Sequence, residues 1–380
     1  MGTAAPSPGS PVVSFSACAG RLARLRGALI QEDLDGVLLL VREGQNWESA
    51  VYLSGYRGTS AALLVSRDEE ILITDGRYLV QARSQSPFSV VEQGNRSLVE
   101  AAGEEIRRLR LRRVGFEAER VSLRVYREME SRCPVEWVDR SDLLPLLRRI
   151  KDEQELRLIE EAARKAAGAF METLGAAGPG MSEREFAALL EYRLQVSGAE
   201  GGWGSHSFIV ASGPRSALPH GTPTERRFAP GEWFTVDFGA RYEGYVCDIT
   251  RNVAVGTLDP WARDLHELLV AAQDAAAEAL RVGVSGREVD RVARSLIEQA
   301  GWGEAFSHGL GHGIGLELHE APRVSPRGED ILEAGDVVTL EPGVYVEGRG
   351  GLRVEDDYVL RMEGPDRITQ ALPREFFVLR

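Results

Sequence analysis

Gly231-Glu232-Trp233-Phe234-Thr235-Val236-Asp237-Phe238-Gly239 is written a second time, in altered letters, as Gly335-Asp336-Val337-Val338-Thr339-Leu340-Glu341-Pro342-Gly343. Each copy opens on a Gly and an acid that read as a turn. It then runs through apolar and β-branched residues that read as a strand, and delivers Asp237 or Glu341 at the strand end. A second carboxylate follows each copy across a Gly-rich turn: Asp248 after Gly239 to Gly244, and Glu355 after Gly343 to Gly351. Two related hairpins are therefore expected to aim one carboxylate pair each toward a common centre. The His-rich tract of the chain, His308-Gly309-Leu310-Gly311-His312-Gly313-Ile314-Gly315-Leu316-Glu317-Leu318-His319, lies between them. Four carboxylates and an imidazole are the donors of a two-metal site.

The helices repeat as well. A long helix reaching about Leu174 and a second from Ser182 to Val196 precede the first hairpin. Trp261 to Val282 and Ser285 to Ala300 precede the second. Ser182 with Glu185, and Ser285 with Glu288, each form the spacing of a capping box. The later part of the chain thus reads as a duplicated helix-helix-hairpin unit about a pseudo-twofold axis, with the hairpins meeting at the centre and the site on the axis. Its expected extent is 149–380.

Ahead of it, 15–148 alternates helices and strands as α/β domains do. Helical spacing of Leu22, Leu25 and Leu29 predicts a helix over Arg21 to Gln31, and the apolar run Leu34 to Val41 a buried strand. A hairpin follows, Ala61 to Val65 and Ile71 to Thr74, then helices over Tyr78 to Arg83, Leu98 to Leu109 and Val121 to Ser131, with a strand at Val114 to Glu117. No catalytic set assembles in this part. Met1 to Ser14, rich in Gly, Pro, Ala and Ser, has neither a basic start nor an apolar core and reads as a disordered tail. Pro6 occupies the place where a myristoylation motif wants Ser or Thr.

At 380 residues the length fits two domains, and an apolar share of 43% supplies their cores. Asp and Glu outnumber Lys and Arg by 58 to 45, a net charge of −13, which argues against nucleic-acid and anionic-membrane partners. Cys18, Cys133 and Cys247 are few and far apart, so a disulfide framework is not expected and a cytoplasmic setting is the simplest. Cys247 beside Asp248 is a weak metal suspect, because adjacent strand residues face opposite sides.

A single Asp is usually a solvated charge or a turn residue. Asp237, Glu341 and Glu355 each follow a strand-like apolar stretch instead, where an unpaired buried carboxylate would cost several kcal/mol. Two dications held about 3.5 to 4 Å apart need several oxygen donors to offset their repulsion. Oxygen-rich ligation with one His suits Mn²⁺, Co²⁺, Fe²⁺ or Zn²⁺ and leans toward Mn²⁺. The glycines around His312 read as positions of close backbone approach to such a centre. His220, in Ala217-Leu218-Pro219-His220-Gly221, joins His308, His312 and His319 as a site candidate. His206 reads as a possible pocket residue, and His266, on a charged helix face, as solvated.

Ala217 to Val253, His308 to His319 and Thr339 to Asp356 resemble the aminopeptidase P, prolidase and creatinase family of pita-bread metallopeptidases. Ser54-Gly55 through Thr74-Asp75-Gly76-Arg77-Tyr78 is similar to the creatinase-like amino-terminal domain of its bacterial members, which methionine aminopeptidase lacks. The fold this implies is α+β: a carboxy-terminal pita-bread fold of duplicated helix-helix-hairpin units behind an α/β creatinase-like domain.

The resemblance further implies that Asp237 chelates one metal, Asp248 and Glu355 bridge both, and His312 with Glu341 hold the other. All five ligands are present, whereas creatinases and non-catalytic members have lost some. By the same resemblance His220 and His319 surround the scissile bond and the proline, His308 lines the pocket, and Arg353 stands beside the bridging Glu; Phe208, His220 and His308 are the candidate walls of the proline pocket. Arg323, in His319-Glu320-Ala321-Pro322-Arg323, is similar to an Arg thought to receive the carboxylate of a dipeptide. The expected activity is that of an Xaa-Pro aminopeptidase with two divalent metal ions per subunit, acting on short proline-containing peptides. In the expected chemistry hydroxide attacks the Xaa-Pro carbonyl, a metal with His319 or His220 stabilises the oxyanion, and Glu341 shuttles a proton to the prolyl nitrogen. The alternative is an Xaa-Pro dipeptidase (prolidase), and more distant ones are a creatinase-like hydrolase, a non-catalytic binding protein and a two-metal phosphoesterase. Family members usually pair as homodimers.

Overall fold

The computed structural model describes residues 15–204 and 207–379. The expected tail at 1–14 and His206 lie outside the described residues. The chain divides into two compact units, one ending at Arg148 and the other beginning at Arg149.

The first unit is built on one sheet. Its elements are α1 (Phe15–Gln31), β1 (Gly36–Val41), α2 (Trp47–Ser54), β2 (Ala61–Ser66), β3 (Glu70–Thr74), α3 (Leu79–Gln85), β4 (Ser89–Glu92), α4 (Leu98–Arg108), β5 (Arg113–Phe116), α5 (Leu123–Arg132) and β6 (Glu136–Asp139); α6 (Leu143–Arg149) runs to the boundary. The sheet order is β4-β3-β2-β1-β5-β6. The β1–β2 and β2–β3 pairs are antiparallel and the β3–β4, β1–β5 and β5–β6 pairs parallel. Pattern reading missed α2, β4, β6 and α6. Seven of the eight residues of α2 are buried, so it shows no amphipathic period, and β4 and β6 are four-residue strands with little period to read.

The second unit holds the duplication. Its first half comprises α7 (Glu153–Ala176), α8 (Glu183–Val196), β7 (Ile209–Ser212), β8 (Trp233–Phe238), β9 (Arg241–Tyr242), β10 (Tyr245–Val246) and β11 (Ile249–Val255). The second comprises α9 (Pro260–Ala279), α10 (Gly286–Gln299), β12 (Gly311–Gly313), β13 (Glu320–Val324), β14 (Val337–Leu340), β15 (Gly343–Val346), β16 (Gly350–Arg353) and β17 (Asp356–Arg361), with β18 (Gly364–Arg367) and β19 (Phe377–Leu379) closing the chain. Capping boxes at Ser182 and Ser285 start α8 and α10, with both reciprocal bonds formed.

The β8–β11 hairpin sits in the sheet β19-β11-β8-β7, and the β14–β17 hairpin in β13-β12-β14-β17-β18. Each hairpin connection is itself a small antiparallel pair, β9–β10 in one and β15–β16 in the other. The two sheets touch at a bridge between Thr250 and Glu355.

Alternation along β8 separates core from centre. Phe234 and Phe238 pack outward on the helices, against Phe186 (5.3 Å between centroids) and Phe170 (5.1 Å). Trp233 and Thr235 turn the other way and reach Gly351 of the second half through hydrogen bonds, leaving Asp237 on that inner face. The second half buries aliphatic side chains in the matching position, Leu265 and Leu269 of α9 and Val289 and Ile297 of α10 against Val338, Leu340 and Leu360. Burial of each such side chain contributes about 1.5–3 kcal/mol.

Candidate metal centre

Asp237, Asp248, His312, Glu341 and Glu355 converge on one cavity of about 600 Å³, which His220, His308, His319 and Arg353 also line. Asp237 comes from β8, Asp248 from the residue before β11, Glu341 from the residue after β14, and Glu355 from the residue before β17. The hairpin register sets Asp237 across from Thr250 and Leu340 across from Asp356, so each strand pair ends its ladder where its two acids stand.

His312 projects from β12. Its Nδ1 lies 3.0 Å from the Gly313 carbonyl, which only accepts, so Nδ1 carries the proton and Nε2 presents its lone pair. That Nε2 is 3.4 Å from Glu341 Oε1 and 3.8 Å from Asp248 Oδ2. Burial, with neighbouring His319 next, pushes the imidazole down to about 3, which keeps it neutral. The His312 and His319 rings stand 4.2 Å apart. The glycines beside His312 serve the sheet rather than the centre itself. A Cβ on Gly311 would meet the Thr339 carbonyl at 1.9 Å, and one on Gly313 the Ala321 carbonyl at 2.1 Å.

The acids crowd. Burial and the charges of Glu355 and Asp237 raise the Asp248 carboxyl well above its usual range, and burial with Glu341 and Asp237 does the same to Glu355. Glu341 is pushed up to about 8, chiefly by burial. The sole cation among the lining residues described, apart from histidines, is Arg353, and it is fully engaged. Nη2 donates to Asp237 Oδ2 (2.5 Å), Nε to Thr250 Oγ1 (3.0 Å), and Nη1 to the Tyr345 hydroxyl (2.6 Å) and the Pro219 carbonyl (3.2 Å). Thr250 in turn donates to Glu355 Oε2 at 2.6 Å. Burial opposes the charge of Arg353, but Tyr345, Asp237 and Glu355 outweigh it and its pKa is raised.

Two observations test whether these residues fit divalent ions. Asp237 Oδ1 and Asp248 Oδ1 are buried and make no hydrogen bond. Asp248, His312 and Glu355 each offer a ligand atom within 4.8 Å of the others. Orphaned carboxylate oxygens aimed together with a neutral imidazole are costly unless a cation satisfies them, so the donor set fits.

Three expectations, for Phe208, Arg323 and His266, need correction. Phe208 packs edge-on against Trp203 (5.8 Å) and lines a neighbouring cavity, while Ser207 and Ile209 on either side of it line the central one. Arg323 is exposed on β13 and does not line the cavity, although it stands directly across from His312 in register. His266 is buried rather than solvated: Nε2 reaches the Arg374 carbonyl (2.8 Å), Nδ1 lies 3.3 Å from Asn252, and burial pushes it down to about 4. Cys247 is buried, with Sγ accepting the Ala240 N–H, and stays outside the carboxylate set.

Three contributors escaped pattern reading. The Tyr345 hydroxyl donates to His308 Nε2 (3.0 Å), since His308 Nδ1 is committed to the Gly309 carbonyl. Thr250 supports Glu355, and Asp357 accepts the Asp248 N–H (2.9 Å). Asp357 had a signal in the acidic run Glu355-Asp356-Asp357; Tyr345 and Thr250 had none.

With this geometry in place, comparison with known proteins gives a consistent result. The family model described as Metallopeptidase family M24 matches residues 157–361, and that of the Creatinase/Prolidase N-terminal domain residues 21–150. An uncharacterized peptidase of Bacillus subtilis is 36% identical over 94% of this chain and 100% of its own length. An Xaa-Pro dipeptidase of Pyrococcus horikoshii is 41% identical over 60% of this chain and 65% of its own. Among solved structures, an Xaa-Pro dipeptidase from Bacillus anthracis superposes with a TM-score of 0.90 at 36% identity, covering 95% of this chain and all of its own. An X-Pro aminopeptidase from Thermotoga maritima superposes at 0.89 with 39% identity, covering 94% and 99%.

Proposed function

We propose, from the premise that this chain belongs to metallopeptidase family M24 and carries a creatinase/prolidase amino-terminal domain, that it hydrolyses the bond between an N-terminal residue and a following proline, as an Xaa-Pro aminopeptidase. The observation that carries the reading is the convergence of four carboxylates and a neutral His312 on one cavity, two of the carboxylate oxygens unpartnered. Asp237, Asp248, His312, Glu341 and Glu355 would hold the divalent ions, with Mn²⁺ the preferred ion. When bound, such a pair supplies Lewis acidity toward a carbonyl and a hydroxide near neutral pH.

The protein's own residues do the rest. Arg353 holds Asp237, Thr250 holds Glu355, and Asp357 fixes the backbone of Asp248, so the donors are set before substrate arrives. His220 and His319, both on the cavity wall, are assigned to the carbonyl oxygen of the scissile bond. Glu341 is assigned the proton that the prolyl nitrogen needs on departure. That nitrogen carries no hydrogen in the substrate, which is why the bond calls for a dedicated pocket. His308, Trp203 and Ile209 are the assigned walls.

No Lys or Arg other than Arg353 is among the described residues lining the cavity, and Arg353 is occupied by Asp237, Thr250 and Tyr345. A site with no spare Lys or Arg offers no permanent cation to the free carboxylate of a dipeptide, which supports the aminopeptidase. The dipeptidase is the second reading, supported by the names of the Pyrococcus and Bacillus anthracis relatives and by the position of Arg323 opposite His312. Assay of Ala-Pro against Ala-Pro-Ala with Mn²⁺-loaded protein decides between them. Preferential cleavage of the tripeptide supports the aminopeptidase; cleavage of the dipeptide alone, lost in Arg323→Ala, replaces it with the dipeptidase. The assembly is proposed as a homodimer, to be checked by light scattering. No described helix is long and apolar enough to cross a membrane.

A further inference from the structure

We propose that Glu183 is a positioning residue that holds His220 in place by clasping both ends of the loop that carries it. The inference rests on the role assigned to His220 above. Glu183 opens α8 and is fully buried. Its Oε1 accepts from the backbone N–H and the hydroxyl of Ser212, both at 2.8 Å. Its Oε2 accepts from the Thr224 N–H (3.0 Å), the Thr224 hydroxyl (2.7 Å) and Arg215 Nη1. One carboxylate thus joins the residue where the chain leaves β7 to the residue where the loop ends. The open amides of the α8 first turn add to the clasp, Glu183 N–H to the Arg226 carbonyl and Arg184 N–H to the Thr224 carbonyl, both at 3.0 Å.

Inside the loop, Arg215 Nη2 also binds the Thr222 carbonyl (2.9 Å), and the Gly221 N–H binds the Leu218 carbonyl (3.0 Å). On the far side the Pro219 carbonyl accepts from Arg353 (3.2 Å). Pro219, His220 and Thr222 line the cavity, so the histidine is slung between a clasp at Glu183 and an anchor at the metal-site arginine. Glu183 touches neither the cavity nor the candidate ligands. The second half of the duplication reaches a similar end by other residues: Arg294 of α10 donates to the His308 carbonyl (2.7 Å), and Asp290 accepts the Leu310 N–H (3.0 Å). In both halves the second helix fixes the loop that brings a histidine to the cavity.

Gln at this position keeps the shape but replaces one acceptor oxygen by an NH₂, leaving the donors at one end of the loop facing a donor. The test is a double-mutant cycle of Glu183→Gln with His220→Ala in Mn²⁺-loaded protein, read with hydrogen exchange of 213–224. Misplacing a group assigned to the transition state predicts a roughly tenfold or greater loss of kcat in E183Q with little change in KM. In the H220A background the same substitution is expected to cost no more than about twofold, because the residue it positions is gone. Hydrogen exchange should quicken in 213–224 while 308–319 stays as in the parent. Thr224→Val, which removes one donor, should show a smaller loss of the same kind and serves if E183Q does not fold. Equal losses in both backgrounds, or unchanged exchange of the loop, would overturn the proposal. An inactive parent protein would sink the peptidase reading instead, and the exchange result would still decide whether Glu183 holds the loop.

Discussion

Arg353 donates to Asp237 at 2.5 Å across the two halves of the duplication, and both side chains are buried. The same guanidinium meets Thr250 of the first half and Tyr345 of the second, so one cation ties both hairpins at the point where their acids converge. A centre made of four carboxylates needs such a tie, because without charge balance the hairpins would repel one another.

Removing that cation should therefore cost more than its hydrogen bonds. Arg353→Met is expected to lower the stability of metal-free protein by about 3–5 kcal/mol, since it strands Asp237 as a buried unpaired charge. Urea denaturation with and without Mn²⁺ checks this, and the deficit should shrink when the ions are present.

Metal is expected to act as a folding ligand as well as a cofactor. Mn²⁺ at a hundred times its Kd should stabilise the protein by roughly 2.7 kcal/mol for each ion bound, relative to chelator-treated protein. Calorimetric titration should count two ions in the parent and fewer in Asp248→Asn, with peptide hydrolysis falling by at least about a hundredfold in the variant.

Ile209 lines the central cavity and Phe208 the neighbouring one, which predicts different effects on substrate binding from the two side chains. Ile209→Ala should raise KM for the tripeptide several-fold and, because Ile209 is as buried as Phe208, also lower stability by about 2–5 kcal/mol. Phe208→Ala should lower stability by about 3–5 kcal/mol with KM little changed. Steady-state kinetics and thermal melts on the two variants separate the roles.

His266 makes the acid limb of stability testable away from the metal ligands. Its folded pKa of about 4 lies below the ordinary 6.5, so the folded state resists the proton that the unfolded chain takes up. Stability from this group is full above 6.5 and is lost as the pH falls from there toward 4. The loss approaches about 3 kcal/mol. His266→Gln should flatten the difference in unfolding free energy between pH 7 and pH 4.5; an unchanged slope would assign the acid sensitivity elsewhere.

Much of this arrangement was legible before any coordinates, and the reasons are physical. The repeated Gly-acid-strand-carboxylate pattern marks chain reversals and period-two burial, both local properties, and β8 and β14 lie where that pattern puts them. Ser182 and Ser285 announced their helices because a capping box is a contact within four residues. What stayed hidden was set by partners far along the chain. Arg353 and Asp237 are 116 residues apart, and Tyr345 turns to His308 across 37. His266 sits on a helix whose neighbours are charged, and only the return of the chain at Arg374 buries it. Phe208 stands just ahead of β7, where no strand period tells which way a side chain points.

The central claim is metal-dependent hydrolysis before proline, and one assay meets it directly. Chelator-stripped protein is given Ala-Pro-Ala and Ala-Ala-Ala, before and after addition of Mn²⁺, and the products are identified by mass. The account predicts release of free alanine from Ala-Pro-Ala only once Mn²⁺ is present, with Ala-Ala-Ala cleaved far more slowly. No cleavage of the proline peptide by protein that has bound its metal, or equal cleavage of both, would contradict it.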